Sequence, residues 1–418
     1  MKALLPAWRT TSTAALHRES GIPPAAQILQ RKSALAGVRI RSLDRDHPLQ
    51  PKVRVDTPLF EEWRRRGVRL PRRAWKQKFC SRLWRLLAQT PRLEPPPLPR
   101  PQPPSMDPTG GMPKAEGAQA FRDWLKRAED TDDIIVYSDG SQTKSSPAVP
   151  GQTGYGFTVH RGGKEITVGA GRITHGEVYD GEIIGALEGL KEALKLPAGR
   201  IHVCLDNTSA ARAIMGDSGS SSQHEAMTFV ALAREHGDTH VRWVPGHADI
   251  PGNDRADELA KAGATLPDPT MDITTLAYLR RKAKADAASR FEAWWQAEMP
   301  DSYRALKLTT TTKCPKELVG VPRERLHHLL AARSRHGDFA QYHERFNYQD
   351  ALLNCSCGRR KAPDHIFSCR KTDPVRRVKL IPSAGQAINS AIGPKYETFL
   401  KLVEETNFFE KICPRRQA

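Results

Sequence analysis

The chain has 418 residues, of which 65 are Lys or Arg and 47 are Asp or Glu, so its net charge at pH 7 is +18. No apolar run approaches the ~20 residues that a membrane helix needs, and the N-terminus lacks the apolar core of a secretory signal. The seven cysteines form no paired framework, which argues against a disulfide-stapled secreted domain. We expect two or three domains in a protein of the nucleus or the cytoplasm.

The positive charge is concentrated at the two ends of the chain. Residues 1–100 contain 22 Lys or Arg and 7 Asp or Glu (net +15), and residues 269–418 contain 27 and 16 (net +11). Residues 131–268 contain 12 and 19 (net −7), so this central part would bind a polyanion poorly by itself. We therefore expect the basic flanks to bind nucleic acid, in a monomer that has no membrane partner.

Ten prolines between residues 91 and 113 predict an extended linker. After it, the spacing of apolar residues and the punctuating glycines predict alternating helices and strands. In chain order these are helix 114–128, strands 133–139, 154–161 and 164–174, helix 178–195, strand 201–206, helices 208–215 and 223–237, strand 239–244 and helix 252–264. An amphipathic basic helix is predicted over residues 276–299.

Four acids occupy positions at which a metal site could form. Asp139 and Asp206 each end an apolar run that predicts a strand, and Glu182 and Asp257 each lie near the start of a predicted helix. Single acids in such places are commonly turn residues or helix caps. Four of them in the order strand, helix, strand, helix favour a shared cage of hard oxygen ligands, which suits Mg²⁺ or Mn²⁺ rather than zinc.

The motifs around these acids are VYSDGS, YDGEIIGALEGL, CLDNTSAARAI and WVPGHADIPGNDRADELA. With them, residues 133–267 resemble the ribonuclease H domain, the nuclease that cuts RNA in RNA–DNA hybrids. The resemblance implies an α/β fold with a mixed five-stranded sheet and flanking helices, which we place at residues 114–268. Proofreading exonucleases fit less well, because Asp139 is followed by Gly140 and Ser141 rather than by a second acid two positions on. Retroviral-type integrases have three acids at other spacings.

The resemblance also implies a mechanism with two metal ions, one that activates a water and one that stabilises the leaving 3′ oxygen. Asp139 would contact both ions, Glu182 and Asp206 the ion on the leaving-group side, and Asp257 the ion on the water side. His247 would aid proton transfer or product release. RNA would be recognised by its 2′-hydroxyls. The residues expected to contact the substrate are Gly140, Ser141 and Gln142, through the backbone of a turn predicted over residues 140–142, together with Asn207 and Asn253.

Residues 1–90 form a basic segment without a complete enzyme. The stretches MKALLPAWRTTSTAALHRESGIPPA and VRIRSLDRDHPL resemble the region that joins polymerase to ribonuclease H in reverse transcriptases of fungal non-LTR (LINE-like) retrotransposons. No polymerase acid pair of the Y-x-D-D type occurs, because Gly140 stands where the second acid would follow Asp139. We expect the C-terminal part of such an element, lacking its polymerase.

A second constellation lies in the basic, mainly helical region predicted for residues 269–418. Cys355, Cys357, His365 and Cys369 form the pattern C-x-C-x₇-H-x₃-C, and three thiolates with one imidazole can close a tetrahedral zinc site. A similar cluster follows the nuclease domain in the same retrotransposon family. The alternative is that these cysteines are buried as small apolar residues. We expect a zinc knuckle that holds structural Zn²⁺.

The sequence therefore predicts an endoribonuclease that cleaves the RNA strand of RNA–DNA hybrids with Mg²⁺ or Mn²⁺. The alternative is a catalytically inactive, nucleic-acid-binding remnant of a retrotransposon. The presence of all four acids together with His247 favours the active enzyme, since drift would remove such residues.

Overall fold

The structure is a computed structural model that describes residues 4–41, 48, 107–144, 151–197, 199–267, 269, 274–376 and 378–416. Residues 42–47 and 49–106, which include the proline-rich linker as far as residue 106, lie outside the described residues. The chain divides into two compact units, Met1–Arg31 with Lys284–Ala418, and Lys32–Ala283. Among the described helices, none is long and apolar enough to cross a membrane.

The helices and strands follow the predicted order closely. The strands are β1 (Ile134–Gln142), β2 (Thr153–Arg161), β3 (Lys164–Ile173), β4 (Ile201–Leu205) and β5 (Thr239–Trp243). Among the described residues, the helices as far as residue 298 are α1 (Thr13–Ser20), α2 (Ala25–Arg41), α3 (Lys114–Glu129), α4 (Val178–Ala193), α5 (Thr208–Ile214), α6 (Gln223–His236), α7 (Pro251–Ala264) and α8 (Leu276–Glu298). The later ones are α9 (Asp301–Arg304), α10 (Lys316–Gly320), α11 (Arg323–Ser334), α12 (Ala340–Arg345), α13 (Ala384–Ile392) and α14 (Tyr396–Thr406).

The five strands form one mixed sheet in the order β3-β2-β1-β4-β5. β2 is antiparallel to both β1 and β3, whereas β4 is parallel to both β1 and β5. The parallel pairs require crossover connections, which α4 supplies between β3 and β4, and α5 with α6 between β4 and β5. The predicted α/β fold, with a mixed five-stranded sheet and flanking helices, is confirmed.

β1 alternates its side chains between two cores, as a strand at the centre of a sheet must. Ile134 and Val136 pack in the core that α4 covers, whereas Ile135 and Tyr137 pack in the core that α3 and α7 cover. Asp139 follows Tyr137 by two residues, so the same alternation places it on the face of the sheet that α3 and α7 cover.

Glycines allow α4 and α7 to approach the sheet backbone to backbone. A Cβ at Gly140 would lie 2.4 Å from the carbonyl oxygen of Val178 in α4. A Cβ at Gly156 would lie 2.4 Å from the backbone nitrogen of Ala260 in α7. No larger residue fits at either position unless a helix moves. The two helices therefore touch the sheet from opposite sides close to Asp139.

β1 is longer than predicted. The sequence predicts a strand that ends at Asp139 and a turn over residues 140–142, but β1 continues to Gln142, which pairs with Thr153 of β2. The prediction was wrong because Gly-Ser-Gln lacks the apolar alternation of a strand, whereas backbone pairing with β2 holds these residues extended. Asp139 thus lies inside the strand.

In the unit of Met1–Arg31 and Lys284–Ala418, residues from the N-terminal segment pack among the C-terminal helices. Leu5, Ala15 and Leu16 share one buried cluster with Trp295 and Phe399. This segment is therefore part of a folded core.

A buried arginine joins the two segments of this unit. The Arg333 side chain is 0% exposed and forms ion pairs with Glu19 at 2.9 Å and Glu317 at 3.2 Å. Arg333 also donates hydrogen bonds to the carbonyl oxygens of Ile392 and Gly393. Replacement of this arginine would be costly, because all four of its buried acceptors would lose a donor.

We predict that Arg333→Ala lowers the free energy of unfolding of the full chain by about 3–5 kcal/mol, since it removes one of the two arginines that neutralise Glu19 and Glu317 and leaves Arg18 alone beside two buried acids. Chemical denaturation followed by circular dichroism measures this loss. Arg325→Ala is the matched control, because Arg325 pairs with Glu404 on the surface, and such pairs contribute about 0–1 kcal/mol. A loss no larger than that of the control would contradict the prediction.

Candidate metal centres

The pairing of β1 with β4 brings two of the predicted acids together. Tyr137 is paired with Cys204 in the parallel register, so Asp139 and Asp206, two residues further along each strand, emerge side by side on one face. Ligand oxygens of Asp139, Glu182 and Asp206 all lie within 4.8 Å of one another. Three of the four predicted acids thus form one cluster.

Glu182 reaches the cluster because the start of α4 is fixed against β1. The Ser138 hydroxyl donates to the carbonyl oxygen of Glu182 at 3.0 Å, directly beside the close contact at Gly140. Two residues before Glu182, the buried Asp180 accepts hydrogen bonds from the hydroxyls of Ser221 and Thr275. Glu182 is 2% exposed, and its Oε2 has no hydrogen-bond partner among the described residues.

The electrostatics of the cluster favour a cation. Burial and the charge of Asp206 raise the pKa of Asp139 to about 7. Burial and the charge of Asp139 raise the pKa of Glu182, and burial raises that of Asp206 as well. Clustered carboxylates repel one another when they ionise, and a bound cation removes this penalty. A donor set of oxygens alone, with one oxygen unpartnered and buried, fits Mg²⁺ or Mn²⁺.

Asp257 lies beside the cluster, on α7. Burial is the main cause of the raised pKa of Asp139 and of Asp206, and the negative charge of Asp257 raises both further. Asp257 is therefore close to both carboxyl groups. Its Oδ2 accepts a hydrogen bond from Lys261 Nζ at 2.5 Å. Sequence reasoning missed this pair, although residues four apart on a helix are neighbours and the spacing could have revealed it.

His247 lies in an exposed loop next to the cluster. Its backbone is left-handed, with φ of 52°, as is that of Asp249 with φ of 53°, a conformation that non-glycine residues rarely adopt. A Cβ at Gly246 would lie 2.1 Å from Oδ2 of Asp206, so the loop runs directly against that carboxylate. The Trp243 indole fixes the backbone there, since its Nε1 donates to the carbonyl oxygen of Asp206 at 3.0 Å.

The residues predicted to contact substrate differ in burial and in the hydrogen bonds that they form. Asn253 is buried, and its Oδ1 has no hydrogen-bond partner among the described residues. Asn207 caps α5, with its Oδ1 accepting from the backbone nitrogens of Ser209 and Ala210. Gly140 and Ser141 pair with β2 within the sheet.

Gln142 is turned into the fold. Its Nε2 donates to the Thr153 hydroxyl at 2.9 Å and to the carbonyl oxygen of Gly176 at 3.1 Å. The predicted turn was the basis for Gln142 as a substrate contact. That turn is absent and the side chain supports the packing of β1 against β2, while the role of Gln142 as a substrate contact stays a prediction.

The second constellation also comes together in space. Cys355, Cys357, His365 and Cys369 each place one ligand atom within 4.8 Å of all the others. The Sγ atoms of Cys355 and Cys369 are 3.9 Å apart, and Cys357 Sγ is 3.3 Å from His365 Nε2. Zn–S bonds of about 2.3 Å at tetrahedral angles place two ligand sulfurs about 3.8 Å apart. The donor set and its spacing therefore fit Zn²⁺.

The chemistry around these four residues agrees with a metal-ligating role. Burial and the positive charge of Arg359 lower the pKa of His365, which favours the neutral imidazole that a metal ligand requires. Gly358 adopts φ of 88° and allows the tight turn after the paired cysteines. Cys413 is also buried, and the Cys355 thiol is among its neighbours.

Comparison with known proteins adds a family to this geometry. The RNase H family model matches residues 131–265, and no curated protein matches the chain. The N-terminal RNase H domain of rv2228c from Mycobacterium tuberculosis is 22% identical, with a TM-score of 0.28 over 32% of this chain and 94% of that one. RNase H1 from Halobacterium salinarum is 21% identical, with a TM-score of 0.25 over 31% of this chain and 96% of that one.

The foamy viral protease-reverse transcriptase is 16% identical, with a TM-score of 0.29 over 33% of this chain and 97% of that one. The family match covers the sheet and all four acids, and the strand order with its flanking helices is that of the RNase H fold. Residues 131–265 therefore carry the RNase H fold and match the RNase H family, whereas the rest of the chain lies outside that match.

Proposed function

We propose that the chain is an endoribonuclease that hydrolyses the RNA strand of RNA–DNA hybrids with the help of two divalent cations. The observation that carries this proposal is the convergence of Asp139, Glu182 and Asp206 within 4.8 Å, inside a segment that matches the RNase H family. The nuclease domain of the proposal is residues 114–268.

Asp139, Glu182, Asp206 and Asp257 would hold the cations. When bound, such a pair activates a water and stabilises the leaving 3′ oxygen. Asp139, at the centre of the sheet, would serve both cations, whereas Asp257 would first have to release Lys261. The exposed His247, against Asp206, would transfer a proton at the leaving oxygen or aid departure of the product.

Substrate recognition would involve side chains at the rim of the cluster and the basic flanks. The buried Oδ1 of Asn253 and the amide of Asn207 are proposed to contact ribose or phosphate, and 2′-hydroxyls distinguish RNA from DNA. The acidic domain, with a net charge of −7 over residues 131–268, would depend on the basic flanks for affinity. We also infer an origin in a non-LTR retrotransposon, from the sequence resemblance of residues 1–90.

We predict that Asp139→Asn lowers cleavage of a labelled RNA–DNA hybrid by about a thousandfold or more, because it removes a central cation ligand whose loss costs several kcal/mol of barrier lowering. Assays of the full chain with Mg²⁺ on hybrid, duplex RNA and duplex DNA measure this. Asp123→Asn, on the exposed surface of α3, is the matched control. A stable wild-type chain that binds hybrid without cutting it would favour the inactive remnant instead.

The stability of the metal-free protein should depend on pH through the same cluster. The pKa of Asp139 is raised from 3.8 to about 7 in the folded state, so between those values the folded state holds a proton that the unfolded state has lost. Stability contributed by this group is therefore present below about pH 4 and is lost as pH rises toward 7. We predict a lower Tm in EDTA at pH 8 than at pH 5.

Mg²⁺ should restore more of the Tm at pH 8 than at pH 5, because the cation binds ionised carboxylates. Differential scanning calorimetry of wild type and Asp139→Asn, each with EDTA or Mg²⁺, checks this. The variant should show a flatter dependence on pH. An equal dependence in both proteins would show that other groups cause it.

We further propose that Cys355, Cys357, His365 and Cys369 bind one structural Zn²⁺. Purified protein should then contain one zinc per chain, and Cys357→Ser should lose that zinc and lower the Tm, because binding energy at such a site contributes to folding. Elemental analysis and calorimetry measure the two effects. Cys314→Ser is the control, since Cys314 is exposed. Zinc-free wild type with an unchanged Tm in the Cys357 variant would contradict the proposal.

A further inference from the structure

Helix α3 lies outside the segment that matches the RNase H family, which begins at residue 131. It nonetheless packs on the sheet of the same compact unit. Phe121 and Ala118 are each 5% exposed, and the Phe121 ring meets that of Tyr137 edge-on, with centroids 6.4 Å apart. Tyr137 precedes the metal-binding Asp139 by two residues on the same face. α3 therefore belongs to the core beneath the site.

One contact of α3 supports the backbone of Asp206. A Cβ at Gly117 would lie 2.7 Å from Cζ3 of Trp243, so this glycine lets the indole lie against the helix. The same indole donates its Nε1 hydrogen bond to the carbonyl oxygen of Asp206 at 3.0 Å. A larger residue at position 117 would displace the ring that holds Asp206.

A second contact of α3 anchors the His247 loop (residues 246–249). Arg122 Nη1 donates to the carbonyl oxygen of Ala248 at 3.0 Å, and Ala248 packs against the core that contains Phe121. Ala248 stands between His247 and Asp249, the two residues with left-handed backbones. Such conformations persist only where surrounding contacts impose them, and Arg122 with the Ala248 methyl group supplies those contacts.

We propose that α3 is a positioning helix for the nuclease site, in which Arg122 fixes the His247 loop and Gly117 accommodates the indole that holds Asp206. This inference rests on the proposed function, because it assigns Arg122 an effect through His247. Arg122 is a positioning residue that acts through the loop.

The test is a double-mutant cycle in the full chain with Arg122→Ala, His247→Ala and both together. With RNA–DNA hybrid and Mg²⁺, Arg122→Ala should lower kcat about threefold to tenfold, as expected for one lost hydrogen bond, and should leave KM nearly unchanged. In the His247→Ala background the same change should lower kcat less than about twofold, because residues that act through one another are not additive. Lys126→Ala, exposed one turn further along α3, is the matched control.

Hydrogen exchange of residues 244–250, followed by mass spectrometry, gives a second measurement that is independent of activity. Exchange should be faster in Arg122→Ala than in wild type or in Lys126→Ala, while exchange of β1 stays unchanged. Equal fold losses in both His247 backgrounds, or unchanged exchange of the loop, would overturn the inference. A wild-type chain that cleaves no hybrid would refute the proposed function alone, since faster loop exchange in Arg122→Ala would still support the anchoring contact.

Discussion

The site depends on two helices that touch the same short stretch of sheet from opposite sides. At Gly140 and Gly156, helix backbone lies where any other residue would carry its Cβ. This contact brings Glu182 of α4 and Asp257 of α7 to the middle of β1, where Asp139 lies. Were the helices one side-chain layer further away, at the ordinary helix–sheet distance, short acidic side chains could not share a cation. Glycine in these strands weakens the sheet locally and makes the metal site possible.

The cluster itself opposes folding, since burial raises the pKa of all three carboxyl groups, and repulsion within the cluster further raises those of Asp139 and Glu182. The cost is offset by the two apolar cores that flank β1, one under α4 and the other under α3 and α7. The site is thus held by packing on both sides, and its polar groups need not stabilise one another. Such an arrangement keeps ligands in place before a cation arrives, which lowers the reorganisation that binding requires.

Much of this could be predicted from the sequence because the relevant signals are local. Apolar alternation located the strands to within a few residues, whereas the parallel pairing of β1 with β4 is seen only in the structure. The predicted end of β1 was wrong because backbone pairing extends the strand to Gln142, and such pairing does not depend on the pattern of side chains. The contact of Arg122 with Ala248 spans 126 positions and depends on a loop conformation, so the spacing of apolar residues in the sequence could not predict it. The pair of Asp257 and Lys261, by contrast, could have been predicted, because residues four apart on a helix are neighbours.

The buried ion pair between Glu19 and Arg333 joins residues 314 positions apart, and it has a consequence for the order of folding. During synthesis the N-terminal segment emerges before its core partners, which follow only after the whole unit of Lys32–Ala283. Domains generally fold as units as they emerge from the ribosome, so the sheet of β1–β5 can form while α1 still lacks its partners. Leu5, Leu16 and Glu19, which then has only its neighbour Arg18 as an ion-pair partner, stay exposed to solvent for that interval. Closure of so long a loop is slow, so this segment is among the last parts of the chain to reach its place in the core.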